Sequence, residues 1–343
     1  MEYGLLGSSG TAVSKLTLGT MTFGDETPEE QSHAQLDLFC EAGGTLIDTA
    51  DVYSTGESEA IIGRWLAANP ARREQVVIAT KGRFPMNGFP TGVGLSRRHL
   101  RDALDASLKR LQVDTIDLYQ MHAWDPYTPI EETLRFIDDA VRAGKIHYFG
   151  LSNFTSWQIA QTAERARAAG LTAPVTLQPQ YNLLVRGIEL EIIPSCDEYG
   201  LGLLPWSPLG GGWLTGKYKR DTPPSGATRL GEDPARGMEA YDKRNAMERT
   251  WDVIDAVQKV AEQRGISMAQ VALAWLVDQP AVTSVILGAR TNEQLQQNLD
   301  AAGVHLSDDE LDLLSAASEP VREDYPYGEP GQAQRSRKIE GGR

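Results

Sequence analysis

The 343-residue sequence predicts an α/β fold, a closed (β/α)₈ TIM barrel with an N-terminal β-hairpin cap and long loops at the C-terminal face of the barrel. Eight short apolar segments alternate with segments of helical character, which is typical of a parallel sheet. From Asp48 to Trp206 the predicted strand ends are spaced by 33, 41, 30, 26 and 28 residues, close to the ~30 residues of one βαβ unit. The chain is long enough for one large barrel, and closure gives every strand two neighbours.

The predicted elements follow one another in a regular order. Residues that flank Gly7-Ser8-Ser9-Gly10 alternate in polarity and predict a hairpin over 1–14. Thr27 and Ser96 are predicted N-caps, and Gly43-Gly44 is predicted to end the first helix. The predicted barrel strands are 15–19, 45–48, 76–81, 116–122, 148–153, 175–180, 202–207 and 284–289. The predicted helices are 28–42, 58–68, 96–111, 129–143, 156–169, 187–198, 249–263, 267–278 and 292–301.

We expect the chain to form one domain. The step from Trp206 to Gly288 is 82 residues, too long for one βαβ unit, and it contains the Gly- and Pro-rich segment 222–237. Because long loops in compact domains are usually functional, this segment is predicted to be an active-site lid; an indifferent surface insertion is the alternative. The polar residues 332–343 are predicted to be flexible. The parts of the predicted domain 1–343 are a hairpin cap at 1–14, the barrel at 15–318 and a C-terminal loop and tail at 319–343.

The composition argues against several classes of partner. Lys and Arg total 33 against 47 Asp and Glu, a net charge of −14, so the surface potential repels nucleic acid and anionic membranes. Cys40 and Cys196 lack metal-ligand spacing, which argues against structural zinc and suits a reducing cytoplasm. The sequence shows neither a signal-peptide pattern nor an apolar run long enough to span a membrane. We therefore expect a cytoplasmic, metal-free protein with a small-molecule partner, in an oligomeric state that the sequence leaves open.

Three titratable residues end consecutive predicted strands. Asp48, Lys81 and His122 hold these positions, and Tyr53 follows Asp48 by five residues. Singly, Asp48 is more often a turn residue, Lys81 a solvated strand end and His122 a core imidazole. Because the C-terminal ends of parallel strands meet at one face of a barrel, we expect the four side chains to surround one cavity.

This group of residues suits proton donation to a carbonyl oxygen. An ammonium beside a phenol favours the phenolate, so Lys81 is expected to lower the pKa of Tyr53 from its usual ~10. Asp48 would hold Lys81 charged, and His122 would share the carbonyl oxygen with Tyr53. The sequence has no metal-ligand cluster and no serine-nucleophile motif, so a hydride donor is the simplest supplement. No GxGxxG motif occurs where a Rossmann fold would require one.

Eight motifs occur in order along nearly the whole chain, namely GTMTFG, LIDTADVYSTGESEAIIG, ATKGR, IDLYQMHAWD, GLSNF, LQPQYNLL, PWSPLGGGWLTGKY and SVILGARTNEQLQQNL. By these motifs the chain resembles the aldo-keto reductases, most of all the branch with aryl-alcohol dehydrogenase-like and bacterial keto-sugar reductases. The resemblance implies NADPH-dependent reduction of an aldehyde or ketone, with a catalytic tetrad of Asp48, Tyr53, Lys81 and His122 and with Tyr53 as general acid. Tyr53, His122 and Trp124 are then the substrate contacts.

The same resemblance implies the cofactor contacts. Arg290 would pair with a 2′-phosphate and favour NADPH, whereas Gly288-Ala289 and Gln294 depart from the family's frequent Lys-Ser and Arg, which leaves NADH as an alternative. Near the nicotinamide the implied contacts are Gly19, Thr20, Met21, Asp48, Ser152, Asn153, Gln178 and the stacking residue Trp206. Along the pyrophosphate they are Ser207, Pro208, Leu209, Gly210, Gly212, Leu214 and Lys217. At the adenosine end they are Gly288, Arg290, Gln294, Gln297 and Asn298.

Two alternative functions stay open at this stage. Potassium-channel β subunits resemble the same family, so a weakly catalytic or non-catalytic NADP-binding regulatory module is the second hypothesis. A barrel hydrolase with a metal on Asp48 and His122 is the third. The complete tetrad favours the reductase. Its pocket loops are predicted to carry aromatic side chains that suit aromatic or sugar-like carbonyls, namely Phe84, Phe89, Trp124, Tyr127, Trp213 and Tyr327.

Overall fold

The computed structural model describes residues 1–226, 228–235, 237–322 and 324–335, and in it eight parallel strands form the barrel. Their order around the barrel is β10-β3-β4-β5-β6-β7-β8-β9, as expected when each strand pairs with the next in sequence. The strands are β3 Leu16–Gly19, β4 Leu46–Asp48, β5 Val77–Gly82, β6 Ile116–Met121, β7 Ile146–Ser152, β8 Thr176–Gln178, β9 Gly202–Leu203 and β10 Val285–Leu287.

The barrel closes between β9 and β10. The amide of Leu203 donates to the Ala281 carbonyl, and the amides of Thr283 and Ser284 donate back to the Leu203 carbonyl. Further along, the Ile286 amide donates to the Pro205 carbonyl at 3.0 Å. These bonds join the two strands at the ends of the sheet, and the predicted (β/α)₈ barrel is confirmed.

The seventh predicted strand, 202–207, is shorter than expected. Regular pairing stops after Leu203, and Trp206 makes only an isolated bridge to Gln180. Pro205 has no backbone N–H to donate toward β10, whereas the amides of Leu204 and Trp206 still donate to the Leu177 and Pro179 carbonyls on the β8 side. The polypeptide still runs beside β8, so Trp206 reaches the C-terminal face of the barrel.

An N-terminal hairpin closes the other end of the barrel, as predicted. Strands β1 (Tyr3–Leu5) and β2 (Ala12–Ser14) pair antiparallel. Leu6 and Val13 of this hairpin are fully buried and pack into the base of the barrel interior. The interior residues that they meet are Leu46, Ala79, Leu118, Leu204 and Ile286.

Helices surround the barrel and bury apolar faces against it. Ser96 caps its helix as predicted, since its side chain accepts a hydrogen bond from the His99 amide. The expected Thr27 cap is wrong: Pro28 holds the N-cap position, and the Thr27 hydroxyl donates to Thr22. The helices are α1 Glu29–Glu41, α2 Glu57–Ala68, α3 Arg97–Leu111, α4 Ile130–Arg142, α5 Ser156–Ala169, α6 Ile192–Tyr199, α7 Arg229–Glu232, α8 Tyr241–Asn245, α9 Glu248–Arg264, α10 Met268–Val277, α11 Asn292–Leu299, α12 Asp308–Ser318 and α13 Glu329–Arg335.

The predicted helix 187–198 is divided in two. A short 3₁₀ turn at Gly187–Glu189 precedes α6, which begins at Ile192. Pro194 lies in the first turn of α6, where its missing N–H costs nothing, but a helix continuing from upstream would clash with its ring. The sequence therefore places a helix start near Pro194 and not at Gly187.

The long segment between β9 and α9 lies at the C-terminal face of the barrel. It contains a 3₁₀ turn at Gly210–Thr215 and the short helices α7 and α8. Trp213 anchors it: this indole is buried, donates to the Glu239 carbonyl at 2.9 Å and stacks on Tyr241 with 5.5 Å between ring centroids. The predicted lid, 222–237, is thus bounded by packed aromatic residues.

Among the described residues, no helix is both long and apolar enough to cross a membrane.

The division into one domain with a tail at 319–343 stays a prediction. The tail contains α13, and the part of the predicted flexible segment 332–343 from residue 336 onwards lies outside the described residues.

Candidate active site

Strand alternation brings Asp48 and Lys81 together inside the barrel. Successive side chains of a strand point to opposite faces, so Asp48 shares the inward face with Leu46 and Lys81 shares it with Ala79. Lys81 is fully buried, and its Nζ lies 2.6 Å from Oδ2 of Asp48. It also donates to the Thr49 carbonyl at 2.8 Å. A buried ammonium is tolerated here because a carboxylate and a carbonyl both accept hydrogen bonds from it.

Tyr53 accepts the third hydrogen bond of the Lys81 ammonium. The third hydrogen bond of the ammonium goes to Oη of Tyr53 at 3.2 Å, and Nζ lies 4.7 Å from the centre of the ring. Tyr53 begins a tight turn in which Ser54 and Thr55 have positive φ angles of 48° and 55°. The Ser54 hydroxyl donates to the Phe23 carbonyl at 2.6 Å, which stabilises this unusual backbone.

His122 lies directly after β6 and beside Tyr53. Its ring meets that of Tyr53 edge to face, with 5.9 Å between centroids. Nδ1 of His122 is buried and has no hydrogen-bond partner among the described residues. The structure therefore brings together all four predicted residues Asp48, Tyr53, Lys81 and His122.

The protonation states follow from burial and neighbouring charge. Burial, then the charges of Lys81 and Arg83, lower the pKa of His122 to about 2, so the imidazole is neutral. Burial opposes the charge of Lys81, but Asp48 and Tyr53 outweigh it and hold the pKa of Lys81 above its usual value. The expected lowering of the Tyr53 pKa is wrong: desolvation outweighs the charge of Lys81, and the pKa is raised.

Two glutamine side chains fix the second oxygen of Asp48. Nε2 of Gln178 and of Gln120 donate to Oδ1 of Asp48 at 2.8 and 3.1 Å. Sequence reasoning missed Gln120, although a fully buried amide in the middle of an apolar strand, two residues before His122, is a usable signal. Gln178, predicted as a cofactor contact, is also part of this network.

Ser152, Asn153 and Trp206 form a second polar group beside His122. Nδ2 of Asn153 donates to the His122 carbonyl at 3.1 Å and to Oγ of Ser152 at 3.0 Å. Nε1 of Trp206 donates to Oδ1 of Asn153 at 3.1 Å. Asn153 has a φ of 58°, a left-handed conformation that asparagine tolerates better than most residues. The Trp206 ring is thereby oriented at the mouth of the cavity.

Two basic side chains, Lys217 and Arg290, lie at the other predicted end of the cofactor site. Lys217 has no hydrogen bond or ion pair with any described residue; desolvation, and next the charge of Arg290, lower its pKa. Arg290 bridges two carboxylates, with Nε 2.7 Å from Glu26 and Nη2 2.9 Å from Glu232. The predicted phosphate-binding arginine is therefore already paired with carboxylates.

The remaining predicted cofactor contacts occupy neighbouring positions. Oε1 of Gln294 accepts from the Arg290 amide at 2.9 Å, and Nδ2 of Asn298 donates to the Gly288 carbonyl at 3.2 Å. Gln297 is exposed. Thr20 is buried and donates to the Asp48 carbonyl at 3.0 Å. The others show no distinguishing polar side-chain contact among the described residues; Gly19 ends β3, and the rest follow β3, β9 or β10, namely Met21, Ser207, Pro208, Leu209, Gly210, Gly212, Leu214 and Gly288.

Asp51 is a further buried acid that sequence reasoning missed. It is fully buried, and neither of its carboxylate oxygens has a hydrogen-bond partner in the described chain. Burial, then the charge of Glu59, raise its pKa to about 7, while Arg110 and Lys81 oppose the shift. The buried hydroxyl of Tyr119 also lacks a partner. Asp51 is thus largely protonated in weakly acidic solution.

The metal hypothesis finds no support in side-chain geometry. Among the described residues, no three of His, Cys, Asp and Glu converge as a metal site. Asp48 is instead occupied by Lys81, Gln120 and Gln178.

Comparisons with known proteins agree with this geometry. The model of the Aldo/keto reductase family matches residues 15–319. The uncharacterized oxidoreductase YrpG of Bacillus subtilis (strain 168) is 38% identical over 92% of this chain and 95% of its own length. A probable voltage-gated potassium channel subunit beta of Oryza sativa subsp. japonica is 36% identical over 89% and 92%. The versiconal hemiacetal acetate reductase of Aspergillus parasiticus is 35% identical over 92% and 96%.

Proposed function

The chain belongs to the aldo/keto reductase family, and we propose that it is an NADPH-dependent oxidoreductase that reduces an aldehyde or ketone to an alcohol with Tyr53 as general acid. One observation carries the proposal: the phenol of Tyr53 lies 3.2 Å from a buried ammonium and beside a neutral imidazole. Relatives named as an oxidoreductase and as a hemiacetal acetate reductase support the reaction class. The free thiols of Cys40 and Cys196 suit the cytoplasmic location that we also propose.

Tyr53 would donate its proton to the carbonyl oxygen of the substrate. Its raised pKa keeps the phenol protonated at neutral pH. As the proton leaves, the negative charge that forms on Oη is stabilised by the Lys81 ammonium through the existing hydrogen bond. Asp48 keeps Lys81 charged and in place, so its contribution to the reaction acts through Lys81.

His122 would help to bind and polarise the carbonyl group. The imidazole is neutral and can donate one N–H without carrying a charge. Its ring is edge-to-face with Tyr53, so both groups can approach one oxygen atom. Trp124, two residues further along, would contact the remainder of the substrate. This assigns the substrate contacts to Tyr53, His122 and Trp124.

The region around Lys217 and Arg290 suits a phosphate-bearing cofactor. A lysine without a counterion beside a second cation favours an anion between them. We assign the nicotinamide end to Ser152, Asn153, Gln178 and Trp206. When bound, the cofactor supplies the hydride that reduces the carbonyl carbon. Arg290 favours NADPH, and its present pairing with Glu26 and Glu232 keeps NADH as the alternative.

The test is NADPH oxidation with a panel of aldehydes and ketones. Tyr53→Phe removes the donated proton and is expected to lower the single-turnover rate by about 10²- to 10⁴-fold, with NADPH affinity unchanged in a fluorescence titration. Tyr127→Phe is the matched control, because Tyr127 is 93% exposed. A Tyr53→Phe variant with a full chemical-step rate would refute the assigned mechanism.

A regulatory module is the second candidate, because a relative with 36% identity is named as a probable potassium channel subunit beta. In that case NADPH would bind tightly to the wild-type protein, but no carbonyl compound of the panel would be reduced. A partner protein that co-purifies with the cofactor-bound chain would support this second function over the first.

A further inference from the structure

We propose that Arg83 determines substrate specificity, and that the substrate is an aromatic aldehyde or ketone that carries a carboxylate. The guanidinium of Arg83 would bind the carboxylate while the carbonyl group faces Tyr53 and His122. This inference rests on the proposed function, since it names the class of compound that the same site accepts.

Arg83 lies close to the proposed catalytic residues. It follows Gly82, the last residue of β5, and is two residues from Lys81. Its Cζ lies 4.8 Å from the centre of the Phe84 ring, and that ring meets His122 edge to face at 4.7 Å. A single aromatic ring therefore separates the guanidinium from the imidazole. The charge of Arg83 acts on His122 at this range, being one of the causes that lower the His122 pKa.

The hydrogen-bonding capacity of Arg83 is largely unused. Its side chain makes one hydrogen bond with the described residues, a long one of 3.4 Å from Nη2 to the Trp124 carbonyl, and its Nε is buried without a partner among them. No carboxylate of the described chain lies within ion-pair distance of it, whereas Arg110, Arg244 and Arg290 each pair with a glutamate. In a chain with 47 acidic and 33 basic residues, an arginine beside the proposed site that has no carboxylate partner in the described chain indicates an anionic ligand.

Asp125 is the acid whose charge Arg83 influences, but its oxygens are already occupied. They accept from the Leu95 amide at 2.8 Å, the Tyr127 amide at 3.0 Å and the Thr128 hydroxyl at 2.6 Å. These bonds tie the loop after β5 to the loop after β6. The Gly94 amide also donates to the Arg83 carbonyl at 2.9 Å. The backbone of Arg83 is thus held in place, and the N–H groups of its guanidinium stay available to a ligand.

The charge and shape of the surroundings favour an aromatic carboxylate. A guanidinium matches a carboxylate with two parallel hydrogen bonds, which a neutral substrate cannot accept in the same way. The net charge of −14 repels anions in general, so selection of an anionic substrate requires a local cation such as Arg83. The Phe84 ring lies against the guanidinium, with 4.8 Å from its centre to Cζ of Arg83, and Trp124 packs against the exposed Trp157 with 5.3 Å between centroids. These aromatic side chains near Arg83 suit a substrate that itself contains an aromatic ring.

The experiment compares two aldehydes that differ in charge and by one methyl group. 4-Carboxybenzaldehyde is the anion, and methyl 4-formylbenzoate is its neutral ester. Wild type is expected to prefer the acid, and Arg83→Gln is expected to raise KM for the acid by about 10- to 100-fold while kcat/KM for the ester changes less than about threefold. Arg83→Lys should keep part of the preference that Arg83→Gln loses, because lysine retains the positive charge but cannot donate the two parallel hydrogen bonds of a guanidinium. Arg98→Gln, an exposed change of the same charge on α3, is the control.

A structural role for Arg83, which also links two loops, predicts another result. Arg83→Gln would then impair the acid and the ester equally, and this outcome overturns the proposal, as does a wild type that does not discriminate. Calorimetric binding of 4-carboxybenzaldehyde to wild type and Arg83→Gln separates the two hypotheses of function. If neither aldehyde is reduced but binding still requires Arg83, the reductase assignment fails and the anion site stands. Equal binding by both proteins rejects the anion site.

Discussion

Asp48 is the residue on which the geometry of the site depends most. One of its oxygens holds Lys81, and the other accepts from Gln120 and Gln178, so three side chains from three strands are fixed by one carboxylate. A carboxylate is stable in a barrel interior only when both of its oxygens accept hydrogen bonds. The arrangement keeps the Lys81 ammonium within 3.2 Å of Tyr53. Asp48 therefore acts as a positioning residue for the proposed proton donor.

Asp51 gives the first prediction, a pH dependence of stability. Its pKa is raised from the usual ~3.9 to about 7, by burial first and then by Glu59, against the opposing charges of Arg110 and Lys81. Between pH 4 and pH 7 the folded protein keeps a proton that the unfolded chain has released. The contribution of Asp51 to the free energy of unfolding is fully present below pH 4 and is lost as the pH rises through 7. Titration of Asp51 should therefore make the protein less stable as the pH rises.

Asp51→Asn should remove that fall. Between pH 5 and pH 8 we expect the wild type to lose about 2 kcal/mol more unfolding free energy than the variant, measured by urea denaturation at both values. Comparing the two pH values within each protein cancels any constant cost of the new amide. Asp102→Asn on the exposed surface of α3 is the control. An Asp51→Asn protein with the wild-type pH dependence would contradict the raised pKa.

At the scale of elements, apolar periodicity predicted where most strands and helices lie, and prolines mark two of the places where the predicted bounds were wrong. Strand β9 ends early at Pro205, and the helix predicted over 187–198 begins only near Pro194. Five of the eight predicted strand ranges end within one residue of the observed strand. It assigned no helix to Asp308–Ser318, where a capping box formed by Ser307 and Glu310 was available as a signal.

The site was predictable to the extent that strand register determines it. Asp48, Lys81 and His122 converge because parallel strands end at one face, and the structure brings them together. The direction of the Tyr53 pKa was not predictable, because it depends on the competition between desolvation and the charge of Lys81. The unpaired Nε of Arg83 was equally unpredictable, since its lack of a hydrogen-bond partner among the described residues is a property of the loops around it.

The hairpin supplies the second prediction. Gly7 has a φ of 55°, and a Cβ at this position would lie 1.7 Å from the Val175 carbonyl oxygen. Gly7→Ala must therefore displace the hairpin from the base of the barrel, where Leu6 and Val13 are buried. We expect a loss of at least about 2 kcal/mol of unfolding free energy, since strain and lost burial add.

Gly10→Ala is the matched control for this change. Gly10 lies in the same turn, and a Cβ there would meet nothing within 4 Å. Urea denaturation of the three proteins should show Gly10→Ala within about 0.5 kcal/mol of wild type. If Gly7→Ala were equally mild, the close approach of the hairpin to Val175 would not exist in solution.

At the scale of the whole molecule, the proposed adenosine end is assembled from distant parts of the chain. Glu26 follows the first barrel strand, Glu232 belongs to α7 in the long loop, and Arg290 follows the last strand. The ion pairs therefore join the long loop to both ends of the barrel sequence. They also surround the residue proposed to contact a 2′-phosphate with two negative charges, within a protein of net charge −14.

The third prediction concerns the choice between NADPH and NADH. Glu232→Gln removes one carboxylate that competes with the 2′-phosphate for Arg290, so the affinity for NADPH relative to NADH should rise by about 3- to 10-fold. NADH has no 2′-phosphate and should be nearly unaffected. Fluorescence titration with both cofactors gives the ratio without turnover. Glu248→Gln, which removes the same charge from the exposed pair with Arg220, controls for net charge.

Arg290→Met distinguishes competition at Arg290 from a general effect of charge. If Arg290 binds the 2′-phosphate, this variant should lose the preference for NADPH, and adding Glu232→Gln to it should restore nothing. If instead Glu232 acts only as a distant negative charge, Glu232→Gln should improve NADPH binding equally in the presence and absence of Arg290. An unchanged NADPH to NADH ratio in Arg290→Met would remove this residue from the cofactor site, and with it the structural reason for preferring NADPH.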